Sequence, residues 1–339
     1  MNGLFDLVLP WLKLAICMAL IGFAGPALVR NGDRIAQLTG LTRSWVGLIL
    51  LATATSLPEL FTGVSAVTIA DAPNIAVGDA LGSCVFNLLM LVLLDELSRS
   101  EPVYRRIDQG HILTAGFGVI MIGTVGAVIL LNHTGLDLPL GHVSIYTPFL
   151  IFLYFIAMRS ACDYQKRAIP AAQGEDALPG LTLRQAIGRY SAAAVVVIAA
   201  GIWLPFVGLE IAEAMGWRKT FVGTLLIAAT TSLPELAVSI SALRMGAVDM
   251  AISNLLGSNL FDVLVLAIDD IAYTKGPLLA SVSDAHAITA FTAVIMSGIF
   301  IVALLFRPRS RIHGTVSWIS LSLLLAYLFS AYASYLLGS

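Results

Sequence analysis

The sequence is poor in charge. Asp, Glu, Lys and Arg make up only 12% of its 339 residues, while 58% are hydrophobic. Ordinary soluble domains carry about 25% charged and 45–50% apolar residues. Neither sign dominates: 19 basic and 21 acidic residues leave a formal net charge of −2, which excludes a nucleic-acid binder with a strong basic excess. So few charges among so many apolar residues also exclude a disordered chain. Cysteine is scarce. Cys17, Cys84 and Cys162 are odd in number and sit in or beside apolar runs, which excludes a disulfide scaffold and fits small buried hydrophobes. The five histidines, His111, His133, His142, His286 and His313, are scattered, with no Cys/His spacing of a metal site. The N-terminus lacks the basic region of a secretory signal peptide, so its first apolar run reads as a retained membrane helix. What remains, at a mean hydropathy of +0.90, is a polytopic membrane protein.

A membrane helix needs about 20 mostly apolar residues. Ten stretches qualify: 4–28, 44–69, 73–94, 111–131, 144–158, 187–208, 219–243, 250–268, 285–306 and 315–337. The fifth is short and extends into its flanks. The expected architecture is therefore an all-α membrane protein of ten transmembrane helices. The longest connector, 159–186, contains the polar stretch Gln173–Asp176 and reads as a simple linker.

Lys and Arg concentrate in cytoplasmic loops. The five connectors that follow odd-numbered spans, with their edges, hold 15 basic residues; those after even-numbered spans hold three, Arg218, Lys219 and Lys275. The odd connectors are expected in the cytoplasm and both termini outside. The net charge then separates into a balance of +6 inside, −5 outside and −3 within the spans.

The two halves of the chain repeat each other. Residues 46–67 (VGLILLATATSLPELFTGVSAV) match 222–243 (VGTLLIAATTSLPELAVSISAL) at 12 of 22 positions, six of them consecutive in Thr55–Leu60 and Thr231–Leu236. Residues 75–89 (IAVGDALGSCVFNLL) match 250–264 (MAISNLLGSNLFDVL) at six of 15. The first copy starts in span 2 and the second in span 7, so five spans per unit invert the second copy. Inverted repeats are a signature of secondary transporters, with the site at the midplane between them. The expected units are a five-helix repeat over 1–158, a cytoplasmic linker over 159–186 and a second, inverted repeat over 187–339.

Glu59 and Glu235 fall near the middle of spans 2 and 7. A carboxylate there costs at least about 2.5–3.5 kcal/mol without compensation, and the only basic residue in a span away from its first few residues is Lys13. Pro58 and Pro234 precede the glutamates. A helical proline removes a donor and clashes with the carbonyl four residues back, here Ala54 and Thr230. Bare carbonyls at membrane depth are tolerated only inside protein or facing a cavity. Thr55, Ser56 and Glu59 converge on one side of a helix, as do Thr231, Ser232 and Glu235. Ser83 and Asn87 are one turn apart in span 3, and Ser258 and Asp262 in span 8. Gly82 and Gly257 precede the two serines, where small residues let membrane helices approach closely. The set is rich in oxygen and nearly free of nitrogen and sulfur, which suits a hard cation such as Ca²⁺.

These motifs resemble the cation/calcium exchanger superfamily, specifically its sodium/calcium exchanger branch. The resemblance rests on TSLPEL at 55–60 and 231–236, LGSCVFN at 81–87 and LGSNLFD at 256–262. It implies that Glu59 and Glu235 ligate Ca²⁺ and share Na⁺ sites, and that Thr55, Ser56, Thr231, Ser232, Ser83 and Ser258 supply Na⁺ ligands. Asn87 and Asp262 complete the central diamond, and backbone oxygens near Ala52 and Ala228 contribute. It further implies countertransport of several Na⁺ for one Ca²⁺ by alternating access, with spans 1 and 6 sliding over a rigid core. The linker is too short for a Ca²⁺-sensing region, so the chain resembles a minimal exchanger of a bacterial or archaeal plasma membrane. No cofactor, nucleic acid or obligate protein partner is expected beyond Ca²⁺, Na⁺ and the lipid bilayer.

The family pattern is broken in three places. Ala54 and Thr230 stand for the glycine before Thr-Ser, Cys84 for the asparagine after Gly-Ser, and Asp79 for an asparagine one turn before Ser83. Asp79 marks an accessory or proton site, which keeps Ca²⁺/H⁺ or another H⁺- or K⁺-linked exchange as an alternative to Na⁺/Ca²⁺ antiport. A passive cation channel and a membrane enzyme are more distant alternatives. No nucleophile–base pair supports the enzyme.

Overall fold

The computed structural model describes residues 2–38, 53–98, 101–132, 139–168, 182–244, 246, 248–307, 311–312 and 316–337. Its long helices are α1 (Asn2–Leu38), α2 (Leu57–Thr68), α3 (Pro73–Leu97), α4 (His111–Asn132), α5 (Tyr146–Ala168), α6 (Leu183–Met215), α7 (Leu233–Arg244), α8 (Val248–Ala272), α9 (Ala285–Phe306) and α10 (Trp318–Leu337). Among the described residues seven helices are long and apolar enough to cross a membrane, or eight when the bent pair Lys219–Thr231 and Leu233–Arg244 counts as one span. Residues 44–52, the first part of the expected second span, lie outside the described residues, as do 169–181 of the expected linker. The rest of the 159–186 connector is helical from 159 to 168 and from 183 onward.

Local sequence sets the helix ends. Proline opens α3, where its missing N–H costs nothing. Thr182 and Gln185 form a reciprocal capping box at the start of α6, and Gly216 ends it in the left-handed conformation at φ 64°. The helix breaks within the turn that precedes Pro58 and Pro234, where the proline clash is expected. Ser56 (φ −91°, ψ 14°) and Ser232 (φ −79°, ψ 9°) leave helical geometry, and the second segment bends there by 45°. It reaches this bend through a π-helical stretch, Val222–Ile227.

The core is built around α3 and α8. Most of their apolar windows are buried, 78% and 83%, against 29% for α1 and 28% for α10. Helices α1, α5, α9 and α10 instead present large apolar side chains outward, among them Phe23, Phe155, Phe306 and Tyr332, as a lipid-facing surface does. Helices α1 and α6 pack on each other and each crosses a proline motif of the opposite half. A Cβ on Gly25 of α1 would lie 2.4 Å from Pro234 Cγ, and one on Gly201 of α6 would lie 3.2 Å from the Pro58 carbonyl oxygen.

The all-α expectation needs one small correction. Two antiparallel two-residue hairpins precede α5 and α10: β1 (Pro139–Leu140) with β2 (Val143–Ser144), and β3 (Arg311–Ile312) with β4 (Val316–Ser317). Their cause is a pair of buried aspartates at the ends of the core helices. Asp95 in α3 accepts from the amides of Val103 (3.0 Å) and Ser317 (3.1 Å) and the hydroxyl of Ser320 (2.7 Å). Asp270 in α8 accepts from the amides of Leu278 (2.7 Å) and Ser144 (3.0 Å) and the hydroxyl of Thr147. Each carboxylate ties its own half to the start of a helix of the other half. The segments that enter α5 and α10 are thus held as strands and turns, not as helix.

Candidate cation site

The residues singled out from the sequence meet between the two halves, except Ala52, which lies outside the described residues. The glutamate of each half lies against the broken turn of the other. Ser56 Oγ is 3.2 Å from Glu235 Oε1, which Ser258 Oγ also approaches to 3.1 Å. Ser56 and Ser258 hydroxyls are 3.2 Å apart, and Thr55 and Ser258 hydroxyls 3.4 Å. The counterpart set repeats the pattern. Ser232 Oγ donates to Glu59 Oε1 at 3.4 Å and lies 3.1 Å from Ser83 Oγ, which is 3.4 Å from Thr231 Oγ1. The serines face across the interface because the helix stops at them: the breaks at 56 and 232 turn each hydroxyl away from its own backbone ladder.

All of these side chains are buried. Yet Glu59 Oε2, Glu235 Oε2, Asp79 Oδ2, Asp262 Oδ1 and Asn87 Oδ1 have no hydrogen-bond partner. Buried polar atoms are nearly always paired, and leaving one unpaired costs about 1–3 kcal/mol, more when charged. Five acceptors without donors, set among hydroxyls, fit a hard cation. Among the described residues no three His, Cys, Asp or Glu side chains form a metal cluster. The carboxylates are interleaved with hydroxyls, which suits ions that must leave again. The basic residue within span 1 is engaged elsewhere: Lys13 Nζ is 2.6 Å from both Glu210 carboxylate oxygens.

The remaining members sit at the edges of this cluster. Thr231 Oγ1 is 2.8 Å from Asp79 Oδ1, which brings Asp79 into the second hydroxyl set. The Ala228 carbonyl accepts from the Ser232 amide at 3.1 Å and lies 3.2 Å from the Thr231 hydroxyl. Asn87 donates to Asn259 Oδ1 at 3.0 Å, Asn259 donates to the Cys84 carbonyl at 3.3 Å, and the Cys84 thiol is 3.8 Å from Asp262 Oδ2. Asn259 was not among the residues singled out. Its signal was its place after Gly-Ser, where the first half carries Cys84. Backbone packing closes the site from behind, since a Cβ on Gly82 would lie 2.4 Å from the Thr224 carbonyl oxygen.

Comparison with known proteins agrees with this geometry. A family model described as sodium/calcium exchanger protein matches residues 9–159 and 187–336. The chain belongs to the sodium/calcium exchanger family. As a member it is an integral, multi-pass membrane antiporter. This exchanger is 26% identical to the inner membrane protein YrbG of Escherichia coli over 77% of its length and 82% of that protein's. It is also 26% identical to the sodium/calcium exchanger MaX1 of Methanosarcina acetivorans, over 82% and 85%. Among solved structures, the sodium-calcium exchanger NCX_Mj soaked with Na⁺ and Sr²⁺ superposes with a TM-score of 0.60 at 22% identity, covering 96% of the exchanger and 99% of that chain. Native YfkE superposes with a TM-score of 0.67 at 17% identity, covering 99% and 96%. At these identities the two structures establish the shared fold.

Proposed function

We propose that this exchanger carries Na⁺ and Ca²⁺ in opposite directions by alternating access. In this reading ten spans form two inverted repeats of five, with both termini outside. Glu59 and Glu235 bind Ca²⁺ and share Na⁺ with Thr55, Ser56, Ser83, Thr231, Ser232 and Ser258. Asn87 and Asp262 complete the set, and the carbonyls of Ala52 and Ala228 contribute. The observation that carries it is the crossed arrangement of the cluster, in which each half supplies a carboxylate to the other half's broken turn. A site shared in this way changes with any relative movement of the halves, and its occupancy biases their orientation. The likeness to MaX1, named a sodium/calcium exchanger, supports the choice of ions.

A second reading, exchange of a cation for H⁺, is favoured by one contact. The Thr231 hydroxyl, a proposed Na⁺ ligand, bonds to Asp79 at 2.8 Å, so a proton on Asp79 can alter a Na⁺ ligand. Ca²⁺ flux in proteoliposomes under separately imposed Na⁺, K⁺ and pH gradients decides between the readings. The first predicts uptake driven by Na⁺ alone, and uptake driven only by the pH gradient would replace it with the second.

A further inference from the structure

Of the buried acids outside the cluster, Asp95 and Asp270 are hydrogen-bonded and Asp269 is not. Asp269 in α8 is fully buried, and both of its carboxylate oxygens have no hydrogen-bond partner in the structure. It points at α2: a Cβ on Gly63 would lie 2.3 Å from Asp269 Oδ2. Gly63 is one turn beyond Glu59, and Asp269 two turns beyond Asp262, so both continue the faces that carry the central carboxylates.

The exposed pair Lys275–Asp71, 2.7 Å apart, shows that α2 and α8 end on the same side of the protein. Helix α3 starts there, two residues after Asp71, and carries Asp79 inward. At 1.5 Å rise per residue, Asp269 stands about 10 Å from Asp262 along α8 and about 5 Å below the end of that helix. Its neighbour Asp270 is consumed by its own hydrogen bonds, whereas Asp269 has none.

The repeat supplies an internal comparison. By the motif alignment the counterparts of Gly63, Asp79 and Asp269 are Ser239, Asn254 and Leu94. On that side Asn254 Nδ2 lies 3.5 Å from Ser239 Oγ and from the Glu235 carbonyl, and Leu94 is packed in the apolar core. The counterpart side is neutral and leaves one amide oxygen, Asn254 Oδ1, without a partner, while this side holds two acids with unpartnered carboxylate oxygens.

We propose that Asp269, seated against Gly63, is an accessory site for a monovalent alkali cation between the rim and the central cluster. The two unpartnered carboxylate oxygens of Asp269 are too few for Ca²⁺, which takes six to eight oxygens. A single positive charge offsets Asp269 without emptying the central cluster of its own cations. The site makes the exchanger asymmetric, because the counterpart side has no acid. The proposal rests on the reading of the central cluster as the transport site.

The test uses full-length protein crystallised in lipid and soaked with Tl⁺, which scatters anomalously, with a parallel Sr²⁺ soak to read the central cluster. Tl⁺ density beside Asp269 in the wild type, lost in Asp269→Asn and Asp269→Leu, is expected. Leucine already occupies the counterpart position, so the second variant preserves packing. In proteoliposomes both variants should raise the half-activating concentration of the driving monovalent cation about tenfold. The rise should occur only from the side where α2 and α8 end, with the maximal rate unchanged. A lower maximal rate without that shift denotes a structural role and overturns the proposal. So does the absence of Tl⁺ from Asp269 in the wild type. Absence of Sr²⁺ from Glu59 and Glu235 would instead overturn the central reading.

Discussion

The paired aspartates at the core helix ends offer a sharp test of the fold. Replacing Asp270 by alanine leaves the buried amides of Leu278 and Ser144 and the Thr147 hydroxyl without their acceptor. Each buried group left unsatisfied costs about 1–3 kcal/mol. The two amides alone therefore give about 2–6 kcal/mol, a large share of a typical stability of about 5–15 kcal/mol. Asp270→Asn keeps one acceptor oxygen and should cost about half as much. Asp95 makes the matching set of bonds to Val103, Ser317 and Ser320, so Asp95→Ala should fall in the same range. The assay is denaturant unfolding of the purified exchanger in detergent–lipid micelles, followed by tryptophan fluorescence and by loss of the monomeric elution peak. The reasoning fails if either alanine variant unfolds within about 0.5 kcal/mol of the wild type, the range of an ordinary surface substitution.

Three further outcomes follow from the same contacts. Ser56→Ala and Ser232→Ala should each weaken Na⁺ activation of transport by about 10- to 100-fold, since each removes a hydroxyl beside a carboxylate, worth about 1.5–3 kcal/mol; unchanged Na⁺ dependence in both would show that these serines only end broken helices. Gly25→Leu and Gly201→Leu should abolish transport while the protein still purifies as a folded species, because the side chains meet Pro234 and the Pro58 carbonyl where α1 and α6 cross the motifs; normal turnover would show that those crossings do not move closely packed. Lys13→Met should change stability by less than about 1 kcal/mol, as expected for a pair whose members are 25% and 39% exposed, and should leave Ca²⁺ uptake intact; lost uptake would mean that Lys13 acts on the central carboxylates.

Much of this was legible in the chain because membranes restrict what can be written there. Glu59 and Glu235 stood out since carboxylates in apolar spans demand a reason, and the repetition of SLPEL supplied one. The crossing of the halves was not legible. The pattern placed Ser56 beside Glu59 on one helical face, but the hydroxyl lies against Glu235 because the helix stops at the serine. Charge position was also misread at the span ends. By the span limits read from the sequence, Asp95, Asp269 and Asp270 fall in connectors, whereas the structure buries all three. A signal for two of them existed: Asp95 and Asp270 occupy matching repeat positions, each seven residues before a proline, Pro102 and Pro277. Asp269 has no such signal, since its counterpart is Leu94.

The most direct measurement is Na⁺-driven uptake of radioactive Ca²⁺ into proteoliposomes by the wild type, Glu59→Gln and Glu235→Gln, with folding of each variant checked by gel filtration. Glutamine keeps the shape and removes the charge that offsets the cations. Uptake by the wild type and none above background by either folded variant is the predicted result. Uptake that survives both substitutions would contradict the claim that the crossed carboxylates carry the transported ions.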